Sequence, residues 1–267
     1  MSTLVVLGSG SQGNAFALIH DGAILLLDAG FSLREIDRRL SAAGLDPAAL
    51  VGVVISHEHG DHAAGATRMA RRHGIPLLAS MGTWRGVSRG GEPCEWLGLG
   101  SRGAAEVGPF SVTACATSHD AAEPIAVGVL LPDGCAVGMA TDLGRPTQAV
   151  RWFLRDRHCL ILEANHDATM LRTSGYPLVV QQRIAGPGGH LSNRDCAELL
   201  ADVHHEGLAT VVLAHLSRRC NSTDLARGHV AARLAEVGFV GVLHLAEQDG
   251  PMPPITLVPP PQGSLFR

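Results

Sequence analysis

Five residues, Val51 to Ile55, form a short apolar run that ends in Ser56-His57-Glu58-His59-Gly60-Asp61-His62. Three imidazoles and an aspartate follow directly on what reads as a buried strand, and loops at strand ends are where scaffolds carry chemistry. Neutral imidazole and carboxylate are common hard-to-borderline metal ligands. In an extended loop His57 and His59 point the same way, while Asp61 and His62 can turn towards a second centre. The spacing is not the H-E-x-x-H of a helical zinc protease. A lone His-x-His would suit a solvated loop. This density behind an apolar run instead demands a fold whose strand ends open onto a polar site.

The 267 residues, 46% of them apolar, are enough for one large domain with a sizeable core, and residues 1–267 are read as a single domain. That apolar content excludes disorder as the main state. The most apolar run, Ala23 to Leu27, is far shorter than the roughly 20 residues of a membrane-spanning helix. Met1-Ser2-Thr3 carries no basic stretch of a secretory leader, so a cytoplasmic protein with no membrane partner is expected. All 21 basic residues are Arg, which excludes Schiff-base and phosphate-loop lysine chemistry. The net charge of −4 offers no bulk basic field for nucleic acid. Six scattered cysteines without a C-x-x-C read as reduced core residues.

Strands are expected at Leu4 to Leu7, Ala15 to His20 and Ala23 to Asp28, the last two joined by an Asp21-Gly22 hairpin turn. A helix is expected from about Ser32 to Ala43, capped by Ser32 and stopped by Gly44, and another over Ala63 to His73. Short β-like runs fill 94 to 141. Beyond Pro146 helices dominate, between strand-like runs at Cys159 to Leu162, Thr210 to Leu213 and Val242 to Leu245, before a Pro-rich tail from Pro251 to Pro261. The simplest packing is two sheets face to face with helices outside.

Gly8-Ser9-Gly10-Ser11-Gln12-Gly13 matches G-x-G-x-x-G after a strand, with Asp28 twenty residues beyond Gly8. A dinucleotide site needs a helix at the third Gly, and Asn14 to His20 is too short and leads into a strand. No nucleotide cofactor is expected. The turn is expected to let backbone approach a neighbouring site closely.

The histidine cluster resembles the H-x-H-x-D-H signature of the metallo-β-lactamase-fold superfamily. Asp28 in Leu26-Leu27-Asp28, His119 in Ser118-His119-Asp120, Asp142 in Ala140-Thr141-Asp142 and His215 in Leu213-Ala214-His215 match the rest of its pattern in order. Ser9-Gly10-Ser11-Gln12-Gly13-Asn14, Glu163-Ala164-Asn165-His166-Asp167 and Gly189-His190-Leu191-Ser192-Asn193 are similar to the YycJ/WalJ-like branch. The resemblance covers about residues 4 to 250. It implies an α/β fold, a four-layer αββα sandwich. It also implies two divalent ions: His57, His59 and His119 on one, Asp61, His62 and His215 on the other, and Asp142 bridging. Asp28 would fix a ligating His from behind. Zinc suits this donor set best, and manganese or iron also fits it.

Two divalent ions bring about +4, two carboxylates and a bridging hydroxide return about −3, and the centre attracts an anion. Such ions lower the pKa of water from about 15.7 towards 7, so hydrolysis is the reaction type. The fold alone does not select the bond. His190 lies in a segment similar to one of ribonuclease Z, where the corresponding His assists phosphodiester cleavage. Arg218 and Arg219 follow His215 and could meet phosphates. The candidate catalytic groups are therefore Asp61, His190 and His166, with Glu163 read as structural. The expected function is a dinuclear phosphodiesterase or nuclease, exonuclease-like, with a nucleic-acid substrate. A thioesterase or lactonase of glyoxalase-II type and a non-enzymatic metal-binding scaffold are the alternatives. The branch's more acidic loop before Gly-His is replaced by Gly186-Pro187-Gly188-Gly189, and its Ser-Lys-Glu-Asn-Asn by Ser217-Arg218-Arg219-Cys220-Asn221. Both changes bear on substrate choice. No long insertion separates Asp142 from His215, so the extra cap of β-CASP nucleases is not expected.

Overall fold

The computed structural model describes residues 1–88, 94–100 and 104–259. The end of the Pro-rich tail, from residue 260, and part of the 94–141 stretch lie outside the described residues. Strands β1 (Ser2–Gly8), β2 (Ala15–His20), β3 (Ala23–Leu27), β4 (Leu50–Val54), β5 (Leu77–Ala79) and β6 (Trp96–Gly98) form one sheet. Strands β7 (Ala105–Val107), β8 (Phe110–Ala116), β9 (Ile125–Leu130), β10 (Ala136–Ala140), β11 (Cys159–Glu163), β12 (Thr210–Ala214) and β13 (Val242–Leu245) form the other. A short β14 (Ile255–Thr256) returns from the tail to pair antiparallel with β1, an element with no clear sequence signal.

Each sheet begins antiparallel and turns parallel towards one side. The β2–β3 hairpin closes through Asp21 and Gly22 at φ 47° and 87°, the left-handed pair that suits a right-twisted hairpin. From β3 to β6 and from β10 to β13 the pairing is parallel. Parallel strands buried on both faces read as continuous apolar runs rather than alternating ones. In β1, Leu4 and Val6 enter the layer between the sheets, while Val5 and Leu7 enter the layer under the outer helices.

Three apolar layers separate four structural ones. Between the sheets, Phe16, Leu25 and Val54 meet Phe110, Val127, Ile161 and Val212. Outside the first sheet, Val5, Leu26 and Val53 pack under α1 (Leu33–Ala42) and α3 (Ala66–His73) through Ile36, Leu40 and Met69. Outside the second, Leu160, Leu162 and Val211 pack under α5 (Gln148–Leu154), α8 (Asn193–Val203) and α9 (Thr223–Glu236) through Leu154, Leu199 and Val230. The remaining helices, α2 (Gly60–Ala63), α4 (Met81–Val87), α6 (Ala168–Thr173) and α7 (Leu178–Ile184), are short. This is the αββα sandwich expected from the sequence.

The expected helix over Ala63 to His73 is instead two pieces, because Gly65 N–H donates to Ala29 O and a Cβ there would strike the Phe31 carbonyl. That break presses the 60–65 turn against the strand end at Asp28. Among the described residues no helix is long and apolar enough to cross a membrane, and the six cysteines are free thiols, four of them buried.

Candidate metal centre

Parallel pairing brings strand ends side by side, and five of them converge on one edge of the sandwich. Asp28 follows β3, the 55–62 loop follows β4, Asp142 lies just past β10, Glu163 ends β11 and His215 follows β12. Asp28, Asp142 and His215 hold φ of 56°, 52° and 53°. Left-handed backbone costs a non-glycine residue free energy and persists where surrounding contacts over-determine it, commonly at functional sites.

Three imidazoles are tied from the outside of the cluster through Nδ1. His62 Nδ1 lies 2.7 Å from Asp28 Oδ2, His215 Nδ1 2.9 Å from Glu163 Oε1, and His119 Nδ1 3.1 Å from Gly189 O. Carboxylate and carbonyl oxygens accept only, so Nδ1 donates and the Nε2 of each neutral ring keeps its lone pair. Those Nε2 atoms face inward. That of His62 lies 2.8 Å from Asp142 Oδ2 and that of His215 3.2 Å from Asp61 Oδ2. That of His119 lies 3.3 Å from His59 Nδ1.

A lone pair facing a carboxylate at 2.8 Å calls for a cation between them. Asp142 Oδ2 is buried and, apart from this imidazole nitrogen, has no partner among the protein groups. With only protein groups around it, burial disfavours charge on His62, yet Asp142 and Asp28 push its pKa up to about 10. The groups that favour a proton here are the ones that would favour a divalent cation in its place. His57 goes the other way: burial, then the neighbouring His62 charge, holds it well below its ordinary value. Its Nε2 is buried without a hydrogen-bond partner among the protein groups, as suits an imidazole nitrogen that ligates a metal.

Donor atoms within 4.8 Å of one another form the groups His57–His59–His119, His57–His62–Asp142 and Asp61–His62–His215. A fourth group of the same compactness joins Asp142, Glu163, His190 and His215, so Asp142 lies between the others. All seven ligands expected from the sequence are therefore brought together, and nitrogen and carboxylate donors at this spacing fit a divalent metal.

The glycine-rich turn forms the floor of this loop. Asn14 N–H donates to Asp61 O at 2.8 Å, and Asn14 Nδ2 lies 3.1 Å from His62 Nε2. Ser9 Oγ accepts from His215 N–H at 2.9 Å and donates to Asn14 Oδ1 at 2.7 Å. A Cβ on Gly30 would run into the Asp61 carbonyl, so the backbone after β3 also packs closely on the 60–62 segment.

The centre opens on a cleft of about 250 Å³ lined by His59, Asp61, His119, Asp142, His190 and His215, with Tyr176, Arg183 and Ser11 also on its wall. His190 Nδ1 lies 2.7 Å from Glu163 Oε1. Burial opposes its charge, but the Glu163 carboxylate raises its pKa. The α8 cap belongs to Ser192, whose Oγ accepts from Asp195 N–H at 3.1 Å, so His190 is not the cap. His166 is buried and is not among the residues lining the cleft; its carbonyl accepts from Asn193 N–H at 2.8 Å. Arg218 pairs with Asp249, and Arg219 donates to Ser174 O at 2.7 Å, so neither is a free solvated cation.

Glu163 has a larger part than its sequence context suggested, holding His190 and His215 with one oxygen. Its signal was its place at the end of the apolar run Cys159 to Leu162, equivalent to Asp142 and His215 on their strands. Asn14 closes the Ser9 to Asn14 motif, whereas Tyr176 and Arg183 carried no signal.

Residues 24–216 match the family described as beta-lactamase superfamily domain. The chain is 33% identical over 253 residues to exodeoxyribonuclease YycJ of Bacillus anthracis, covering 93% of this chain and 96% of that protein. It is 31% identical over 247 residues to exodeoxyribonuclease WalJ of Streptococcus pneumoniae serotype 2, covering 89% and 90%. In structure it is similar to the metallo-beta-lactamase fold protein YhfI of Bacillus subtilis, with a TM-score of 0.71 at 16% identity, covering 94% of this chain and 98% of that one.

Proposed function

Given that the chain belongs to the beta-lactamase superfamily, we propose that it is a metal-dependent hydrolase that cleaves phosphodiester bonds of DNA, acting from a strand end. The observation that carries the metal dependence is the His62 Nε2 lone pair facing Asp142 Oδ2 while Nδ1 is committed to Asp28. His57, His59 and His119 would hold one ion, Asp61, His62 and His215 a second, with Asp142 serving both. Zinc is the best match to these donors, and manganese or iron is compatible. When bound, such ions supply Lewis-acid contact to a phosphoryl oxygen and a water of lowered pKa.

The chain's own residues do the rest. Asp28, Glu163 and the Gly189 carbonyl fix which nitrogen of each imidazole faces inward. Asp61 and Asp142 place two negative charges among the ligands, leaving a site with divalent ions net positive and receptive to a phosphodiester. His190 donates Nδ1–H to Glu163, which favours its imidazolium form, and that cation would give its Nε2 proton to the departing sugar oxygen and be left as the neutral imidazole. Relatives with exodeoxyribonuclease names over nearly the whole chain support DNA as the polymer.

A turnover panel on metal-loaded protein tests this: linear duplex DNA, single-stranded DNA, RNA, bis-p-nitrophenyl phosphate and S-lactoylglutathione. DNA is expected to be hydrolysed fastest among the polymers. A thioester rate above every phosphodiester rate would overturn the proposal.

A further inference from the structure

The single tyrosine of the chain, Tyr176, stands half-buried on the wall of the cleft, on the loop between α6 and α7. The Arg219 guanidinium lies over its ring, 4.2 Å from the centroid. Arg219 is itself fixed, its Nε and Nη2 donating to Ser174 O at 2.9 and 2.7 Å. The loop after β12, which begins with His215, is thereby tied to the loop that carries Tyr176. The cation takes one face of the ring, and the side chain stands on the cleft wall.

The surroundings are those of a strand-binding rim. Arg183, on the same wall, holds Asp120 at 2.7 Å. Between Tyr176 and Arg183 runs α7, which buries none of its residues and leaves Leu178 and Val179 exposed at 68% and 70%. Aromatic rings flanked by guanidinium groups bind single-stranded nucleic acid, because every base has a π-face and cations reinforce the stack. A base in a duplex already has both faces stacked, so such a ring favours an unpaired nucleotide.

We propose that Tyr176, held by Arg219, stacks on the base of an unpaired nucleotide next to the bond being cleaved, so that the cleft selects single-stranded or frayed DNA ends. This inference rests on the reading of the protein as a DNA phosphodiesterase and adds the recognition element.

The test follows hydrolysis of an end-labelled oligothymidylate by the metal-loaded protein. Tetrahydrofuran abasic residues replace the terminal nucleosides one position at a time. For wild type, an abasic residue at one position is expected to lower kcat/KM about 5- to 150-fold, the range of one lost base–aromatic stack. Tyr176→Ala should show that loss on the intact oligonucleotide and lose sensitivity to the abasic position. Tyr176→Phe should behave as wild type, since the ring and not the hydroxyl makes the contact. Wild type that cleaves the oligonucleotide with no abasic penalty at any position would overturn the stacking while leaving the phosphodiesterase reading intact; because this arm uses wild type, a poorly folded variant does not obscure it. A Tyr176→Ala variant that keeps the full abasic penalty would overturn it equally. A wild type that cleaves no DNA would overturn both.

Discussion

Glu163 Oε1 stands 2.7 Å from His190 Nδ1, and the carboxylate is fully buried. The same oxygen lies 2.9 Å from His215 Nδ1, while Oε2 accepts from Leu143 N–H at 2.9 Å and Leu191 N–H at 3.0 Å. Four donors converge on an acceptor-only group, and the positive field of His190 and the hydrogen bonds hold its pKa at about 2 against burial. One buried charge thus orients both a metal-facing imidazole and one on the substrate side.

Glu163→Gln should be far from conservative. The amide brings an NH2 into a pocket of N–H donors, so one pair must face donor to donor. Metal affinity should fall about 10- to 100-fold, the usual effect of losing the partner behind a ligating histidine. Competition with a chromogenic chelator measures it. Affinity within twofold of wild type would show that Glu163 does not orient His215.

Protein prepared without chelator should contain about two metal ions per chain by elemental analysis. Asp142→Ala should lower both occupancies, because Asp142 forms one compact donor group with His57 of the first proposed set and His62 of the second. His57→Ala should mainly remove one ion. One ion or none in well-folded wild type would exclude a dinuclear centre.

The candidate ligands were legible in two ways: the dense His57 to His62 cluster stands out behind an apolar run, and His119, Asp142 and His215 follow from the resemblance to the superfamily pattern in order. The sandwich was legible for a related reason: strands buried on both faces, such as β3 and β12, read as unbroken apolar stretches. What stayed hidden depends on contacts across the chain. Asn14 stands in a motif the sequence singles out, but what it does, meeting the Asp61 carbonyl with backbone and side chain across 47 residues, is not local. Tyr176 matters because Arg219 lies over it, joining two loops no motif connects. His166 is a candidate catalytic group in the sequence alongside His190, yet it is buried and does not line the cleft. The Gly65 break escaped notice because Ala63 to His73 is locally a good helix, and a tertiary contact to Ala29 overrides it.

Acid stability should depend on Glu35. It accepts from Arg38 Nη2 and Arg39 Nε, both at 2.7 Å, and Arg39 is buried with Nη1 on Leu7 O and Gln248 O. The Arg38 hydrogen bond, with help from Arg39, lowers the Glu35 pKa from 4.5 to about 2 against burial. A carboxyl with a depressed folded-state pKa stabilises fully above its unfolded value, and the contribution drains away as pH falls from 4.5 towards about 2. Glu35→Gln should therefore cost about 1–2 kcal/mol at pH 7 in denaturant titrations. The gap from wild type should narrow over that acidic window. A gap that stays constant down to the lower limit would mean that the charge on Glu35 contributes nothing.

The remaining prediction separates His190 as a proton donor from His190 as packing. A sugar alkoxide has a pKa far above 7 and needs a proton as its bond to phosphorus breaks, whereas nitrophenolate leaves without one. With Nδ1–H donated to Glu163, whose carboxylate favours the imidazolium, the Nε2 proton of that cation is the one His190 has to offer. His190→Ala should therefore barely slow bis-p-nitrophenyl phosphate hydrolysis. On DNA the same variant should lose about 10²- to 10⁴-fold, the range for a missing general acid. Its metal content and melting temperature should stay near those of wild type, because the α8 cap belongs to Ser192 and His190 is not in the seven-ligand set. Equal losses on both substrates, or a loss that follows falling stability, would remove His190 from proton transfer and leave Glu163 as the anchor of His215 alone.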